Sequence, residues 1–344
     1  MKNYKVQTID LQAMQACKNR WDKIAKPLNG MGKLEEIIQK IAGITGSDHI
    51  SLSKKAVVIM CADNGIVEEG VTQTGQDITR IVSENFLKGE ATVSIMAGMA
   101  KADIIPVDIG IATETKLENK KIAYGTKNFL KQPAMTEEEA NRAIDTGVKL
   151  VGQLVQKGYQ ILATGEMGIG NTTTSSAIAS VLLDRPVEEM TGPGAGLSRQ
   201  GISRKIQVIQ QAIEKYELIG KNPLEVLATV GGFDIAGLCG VFIGGSVYRV
   251  PIVIDGFISA TAALVAAKLY PETLDFMIAS HRSKEPAVSE ILNYLGLSPI
   301  LDGNLCLGEG TGAVTLFPLL DMAWEVYRRM GTFSEYEIEA YRPL

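Results

Sequence analysis

Short, continuous apolar runs recur along this chain, and glycine with a carboxylate stands close behind each. Residues 56–62 (AVVIMCA), 104–109 (IIPVDI), 161–164 (ILAT), 227–230 (LATV) and 250–254 (VPIVI) have the length and composition of strands buried on both faces. Between them lie helical patterns over 78–99, 137–157, 173–183, 203–216, 235–247 and 259–269. Strands alternating with helices predict an α/β fold, a parallel β-sheet flanked by helices, because parallel neighbours need a crossover connection. The helix after Met135 opens on Thr136 and Glu139, the spacing of a capping box. Two further helical stretches, 10–25 and 33–42, open the chain about the Pro/Gly turn at 26–32.

The turns behind the runs are Asp63-Asn64-Gly65, Asp108-Ile109-Gly110, Gly165-Glu166-Met167-Gly168, Gly231-Gly232-Phe233-Asp234 and Asp255-Gly256-Phe257. Open parallel sheets bind ligands in the crevice outside the carboxyl ends of their strands. Five such turns on one edge predict a pocket assembled from distant parts of the chain, although each taken singly also fits an ordinary Gly/Asp turn.

Residues 307–315, LGEGTGAVT, hold Glu309 between glycines ahead of an apolar helical pattern over 313–327, with Pro318 close to its first turn. A helix N-terminus favours the ionised carboxylate and a water-poor pocket opposes it. A base balanced in this way suits proton abstraction. A glutamate that only caps the helix fits the same spacing.

Residues 165–174, GEMGIGNTTT, form a strand-to-helix turn rich in glycine and hydroxyls. Its amides, with Thr172 or Thr173, suit a phosphate, and a tight turn with threonine caps fits equally. It lacks the GK[ST] of a P-loop and the glycine order of a dinucleotide fingerprint. Residues 191–198, TGPGAGLS, lead to Arg204-Lys205 at the head of a helix, which reads either as an anion clamp or as a connector with a solvated basic pair.

The 344 residues carry a formal net charge of −5, which argues against non-specific nucleic-acid binding. An anionic substrate then needs a local site of backbone amides. Four scattered cysteines without a CxxC pair predict reduced thiols, and two histidines exclude a histidine-rich metal site. No leader-like start or run of about 18 apolar residues occurs, so a cytoplasmic location is expected. Ser280-His281 lacks a G-x-S-x-G elbow, which makes His281 a structural histidine on this reading. Cys61 and Cys306 read as buried packing residues flanking the pocket.

Taken together, KPLNGMGKLE (26–35), ADNGIVEEGV (62–71), GEMGIGNTT (165–173), VGGFDIAGL (230–238), DGFISATAAL (255–264), SHRSKE (280–285) and LGEGTGA (307–313) resemble the nicotinate-nucleotide:dimethylbenzimidazole phosphoribosyltransferases of cobamide lower-ligand assembly. The resemblance runs nearly end to end. It implies a large α/β domain over 30–318 and a small helical domain drawn from 1–29 and 319–344. It also implies transfer of the 5-phosphoribosyl group from nicotinate mononucleotide to an aromatic base, with release of nicotinate. Glu309 matches the family's catalytic glutamate, and Glu166 a second carboxylate suited to ribose or cation contact. The loops 165–171 and 192–196, with Lys205, would hold the nucleotide phosphate. Substrate-binding positions carried over are Thr74, Val82, Met167, Gly168, Gly170, Asn171 and Thr172, then Gly194, Gly196, Lys205, Asp234, Leu307 and Gly308. No metal or other cofactor is implied, and a dimer is.

Val82 stands where members specialised for dimethylbenzimidazole carry a glutamine. The lost amide makes the pocket more apolar, so the expected alternatives include phenol or p-cresol as an O-acceptor, with the chain as one half of a paralogous pair. A catalytically silent stabilising paralogue is the alternative of another class, and retention of Glu309 and Glu166 speaks against it.

Overall fold

The computed structural model describes residues 2–341. In chain order its elements are α1 (Leu11–Lys23), α2 (Lys33–Thr45), β1 (Lys55–Ala62), α3 (Asp77–Lys88), α4 (Thr92–Met99), β2 (Ala102–Gly110), β3 (Glu118–Asn119), α5 (Glu137–Gln156), β4 (Ile161–Met167) and α6 (Asn171–Leu183). There follow α7 (Val187–Met190), α8 (Arg199–Lys215), α9 (Pro223–Val230), α10 (Phe233–Tyr248), β5 (Ile252–Ile254), α11 (Phe257–Leu269), β6 (Met277–Ala279), α12 (Ala287–Tyr294) and α13 (Thr311–Arg329).

The six strands form one parallel sheet in the order β3-β2-β1-β4-β5-β6. Alternate side chains of β1 enter two apolar layers. Val58 and Met60 pack with α5 and α10 residues such as Ile144 and Val241, and Val57 and Ile59 pack with Phe317 and Leu320 of α13. Both faces are covered, which is why the strands read as unbroken apolar runs. The strand order reverses direction between β1 and β4, and a crevice opens at such a switch point beyond the carboxyl ends of the strands.

Three sequence expectations are corrected. Residues 227–230 are the end of helix α9, started by the Asn222 side chain accepting the Glu225 N–H at 2.9 Å with Pro223 in its first turn. The pattern over 78–99 is two helices, because Gly89 ends α3 in the left-handed region at φ 75°. Pro318 lies inside α13, well beyond its first turn, since that helix begins at Thr311. The expected capping box at Thr136 and Glu139 is present in both directions.

Cys17 and Trp21 of α1 join the same apolar cluster as Ile59 and Phe317, and Ile24 bridges Thr332. Residue 319, where the expected small domain resumes, sits within one continuous helix, and we keep the division of the chain as a proposal. The outermost residues of that expected domain, 1 and 342–344, lie outside the described residues.

Candidate active site

Beyond the carboxyl ends of β4 and β5 lies a cavity of about 260 Å³, bounded by the loop before α13. Glu166, at the end of β4, is only 7% exposed and faces this cavity. The Asn171 amide donates to Glu166 and, at 3.1 Å, to Asp234 Oδ2, so one amide ties two buried carboxyls together. Burial, then the nearby Asp234 charge, pushes Glu166 up to about 8. Asp234 is pushed up to about 6 by burial against the opposing Asn171 hydrogen bond. In the free protein at neutral pH, Glu166 is therefore mostly protonated.

Glu309 sits in a run of left-handed backbone, with φ 86° at Gly308, 62° at Glu309 and 95° at Gly310. That conformation costs a non-glycine residue on the order of 1 kcal/mol and persists only where the surroundings enforce it. Here Asp255 enforces it. Its carboxylate accepts the Gly310 N–H at 3.2 Å and the Ala313 N–H at 2.9 Å, capping α13 from a different loop. Gly165 of β4 adds close backbone contact, since any side chain there would meet the Glu309 carbonyl. Glu309 is thereby left uninvolved in capping its own helix. Its Oε2 accepts the Val93 N–H of α4 at a long 3.5 Å, and its pKa is raised by burial and by Asp255 against that bond.

The expected substrate positions divide among three places. Val82, Met167, Gly168, Asn171, Thr172, Gly194, Leu307 and Gly308 line the cavity with Glu166 and Glu309. Thr74 and Gly170 line a small adjoining cleft, shared with Gly168, Asn171 and Thr172. Gly196, Lys205 and Asp234 line neither of the two. Gly196 accepts the Gln73 amide through its carbonyl. Lys205 lies fully buried beneath the turn, where its Nζ donates to Thr172 Oγ1 at 2.9 Å and to Gly192 O at 3.3 Å. Burial lowers its pKa to about 8 despite the facing Glu285. Of the two hydroxyls left open by sequence, Thr172 faces the cavity and Thr173 points into the core.

Two further expectations are corrected. Arg204 and Lys205 are not a basic pair at a helix head, because α8 begins at Arg199 and the two diverge: Arg204 pairs outward with Glu69 Oε2 at 2.6 Å. Cys306 is exposed and lines the cavity, whereas Cys61 is buried as expected. The carboxylates behind β1 and β2 do not reach the cavity, since Asp63 accepts the Ala112 N–H and Asp108 pairs with Lys121 at 2.8 Å.

A phosphoribosyltransferase family model, DBI_PRT, matches residues 6–338. The chain belongs to this family. A relative from Ruminiclostridium cellulolyticum, named nicotinate-nucleotide–dimethylbenzimidazole phosphoribosyltransferase, is 47% identical over 342 residues, covering 98% of this chain and 97% of the relative. One of the same name from Acetivibrio thermocellus is 48% identical over 96% of this chain and 95% of the relative. The crystal structure of CobT from Thermus thermophilus superposes with a TM-score of 0.91 at 37% identity, over 96% of this chain and 100% of that one. The names of the two relatives specify the benzimidazole acceptor, and the phenolic alternative gains no support from them.

Within this phosphoribosyltransferase the site contains residues that sequence reasoning did not place in it, His281 among them, which it read as structural. Asp255 was visible only as one more Asp-Gly turn, and the Val93 amide carries no side-chain signal. His281, Ser283 and Glu285 also line the cavity, and Glu285 accepts the Gly194 N–H at 3.0 Å. The SHRSKE motif was the available signal for these three.

Proposed function

We propose that this enzyme moves the 5-phosphoribosyl group of nicotinate mononucleotide to 5,6-dimethylbenzimidazole in cobamide lower-ligand assembly, with Glu309 as the general base. The observation that carries the assignment of Glu309 is its release from capping: Asp255 holds the helix start, and Glu309 is left beside the cavity with a raised proton affinity.

One benzimidazole nitrogen attacks the anomeric carbon. The bond from that carbon to nicotinate breaks, and its electron pair neutralises the departing pyridinium, so no acid is needed to release it. Positive charge on the benzimidazole acidifies its other N–H, and that proton passes to Glu309. Attack passes through a ribosyl cation-like state, which Glu166 stabilises once ionised. Because burial holds Glu166 near 8 in the free enzyme, the cationic pyridinium of the bound nucleotide supplies the local charge that favours its carboxylate.

Phosphate binding is assigned to the amides at the start of α6 and of the 192–196 loop, with the Thr172 hydroxyl. Lys205 supplies the countercharge from beneath through Thr172. Val82 lines the acceptor side as an apolar wall. We place the enzyme in the cytoplasm as a homodimer. No helix among the described residues is long and apolar enough to cross a membrane, and exposed Leu87, Ile95 and Met99 on α3 and α4 offer an apolar face to a second copy.

The test is nicotinate release by the purified chain from nicotinate mononucleotide, with and without dimethylbenzimidazole. Release that requires the benzimidazole and matches formation of its ribosyl phosphate adduct is expected. Release at the same rate without acceptor would replace transfer by hydrolysis.

A further inference from the structure

His281 is buried at 3% exposure, yet it lines the cavity that holds Glu166 and Glu309. Its ring lies against the first turn of α13 at Gly312, where any side chain would overlap it. The Ser280 hydroxyl is 2.6 Å from Ile254 O and 3.0 Å from His281 Nδ1. A hydroxyl has one proton, and the nearer partner, a carbonyl oxygen, can only accept it. The Ser280 oxygen is then an acceptor toward the ring, so Nδ1 must carry the imidazole proton. Burial lowers the pKa of His281 against the opposing charge of the nearby Asp255, which leaves the ring neutral with that single proton. Nε2 is thus a bare acceptor, with no hydrogen-bond partner among the described residues.

The chemistry of the nucleotide limits what can meet that acceptor. In nicotinate mononucleotide the phosphate dianion and the carboxylate only accept, and the pyridinium nitrogen carries no hydrogen. Its only donors are the two ribose hydroxyls. The benzimidazole N–H belongs to Glu309 in the proposed reaction. We infer that Ser280 fixes His281 as the Nδ1–H tautomer and that its Nε2 accepts a hydrogen bond from a ribose hydroxyl of the bound nucleotide. The inference rests on the functional reading above. His281 is a binding residue on this view and moves no proton.

Nitrogen NMR of the imidazoles tests the tautomer directly, because the chain has only two histidines and His49 is exposed. The Nδ1–H pattern is expected for His281, with a shift of its Nε2 resonance on adding nicotinate mononucleotide. An Nε2–H pattern would overturn the proposal without any variant being made. His281→Phe keeps a flat ring and removes the acceptor, and should raise KM for the nucleotide about tenfold, the scale of one hydrogen bond. Against the 2′-deoxy or the 3′-deoxy nucleotide, whichever lacks the bonded hydroxyl, the same substitution should cost nothing further. Equal loss for all three nucleotides would make His281 a packing residue and remove this proposal alone. Failure of the wild type to bind nicotinate mononucleotide would remove the functional reading and this proposal with it.

Discussion

Asp255 accepts the Ala313 N–H at 2.9 Å, and that bond separates capping from catalysis in the loop before α13. A carboxylate beside a helix start is ordinarily the cap. Here the capping carboxylate comes from the loop after β5, and Glu309, which is next to the helix in sequence, is kept out of it.

Asp255→Ala should therefore do two things. Loss of the cap should cost about 1–2 kcal/mol of stability. Relaxation of the left-handed Glu309 backbone should lower kcat at least tenfold, with little change in KM for the nucleotide. Thermal melts and steady-state kinetics separate the two. An unchanged kcat in a destabilised protein would reduce Asp255 to a purely structural cap.

Glu166 and Asp234 give stability an unusual pH dependence. Their folded pKa values, about 8 and about 6, lie above the ordinary carboxylate values they regain on unfolding. Across the window from ordinary carboxylate values up to those raised values the folded chain binds more protons than the unfolded one, so stability falls as pH rises. The melting temperature should drop between acidic and mildly alkaline buffer. Glu166→Gln should flatten that drop and raise stability at the alkaline end. A melting temperature that climbs with pH over this window would contradict the buried-acid account.

Lys205 has the opposite sign. Its folded pKa of about 8 lies below the ordinary lysine value of 10.5, so the unfolded chain binds the extra proton and stability rises with pH between the two. Lys205→Met should remove that rise and cost stability at neutral pH, because it leaves the buried Glu285 carboxylate without the cation it faces. It should also raise KM for nicotinate mononucleotide tenfold or more, since the phosphate loses its countercharge. A folded variant with unaltered KM would take Lys205 out of the phosphate site.

Gly165→Ala should disable the enzyme from a strand rather than from the loop. The added methyl meets the Glu309 carbonyl, which is backbone and held in place by Asp255. Overpacking of this kind costs about 1–3 kcal/mol, and the loop must shift to relieve it. Loss of turnover with retained helical circular dichroism is the expected result.

Much of this was legible in the sequence, for identifiable reasons. β1 and β4 are buried on both faces, so their apolar runs stand out unbroken, although β4 runs on through Gly165 and Glu166, which the sequence reads as turn, to Met167. The end of α9 misled because a four-residue run, three of them apolar, fits a strand as well as a buried helix end, and the deciding signal, Asn222-Pro223, lay upstream. β6 and the two-residue β3 were too short to carry a pattern. At the site, Glu309 could be singled out as a loop carboxylate, but its freedom from capping depended on Asp255, far away in the chain. The exposure of Cys306, the burial of Lys205 and the tautomer of His281 are likewise properties of packing, which no local spacing encodes.

The most direct test of the central claim is the kinetics of Glu309→Gln, a change that keeps shape and removes the base. Transfer to dimethylbenzimidazole should fall by about 10²–10⁴ in kcat while the nucleotide Kd stays within about twofold, because a general base acts on the acceptor in the transition state. Full turnover in that variant, or a loss confined to nucleotide binding, would contradict the assignment of Glu309 as the base.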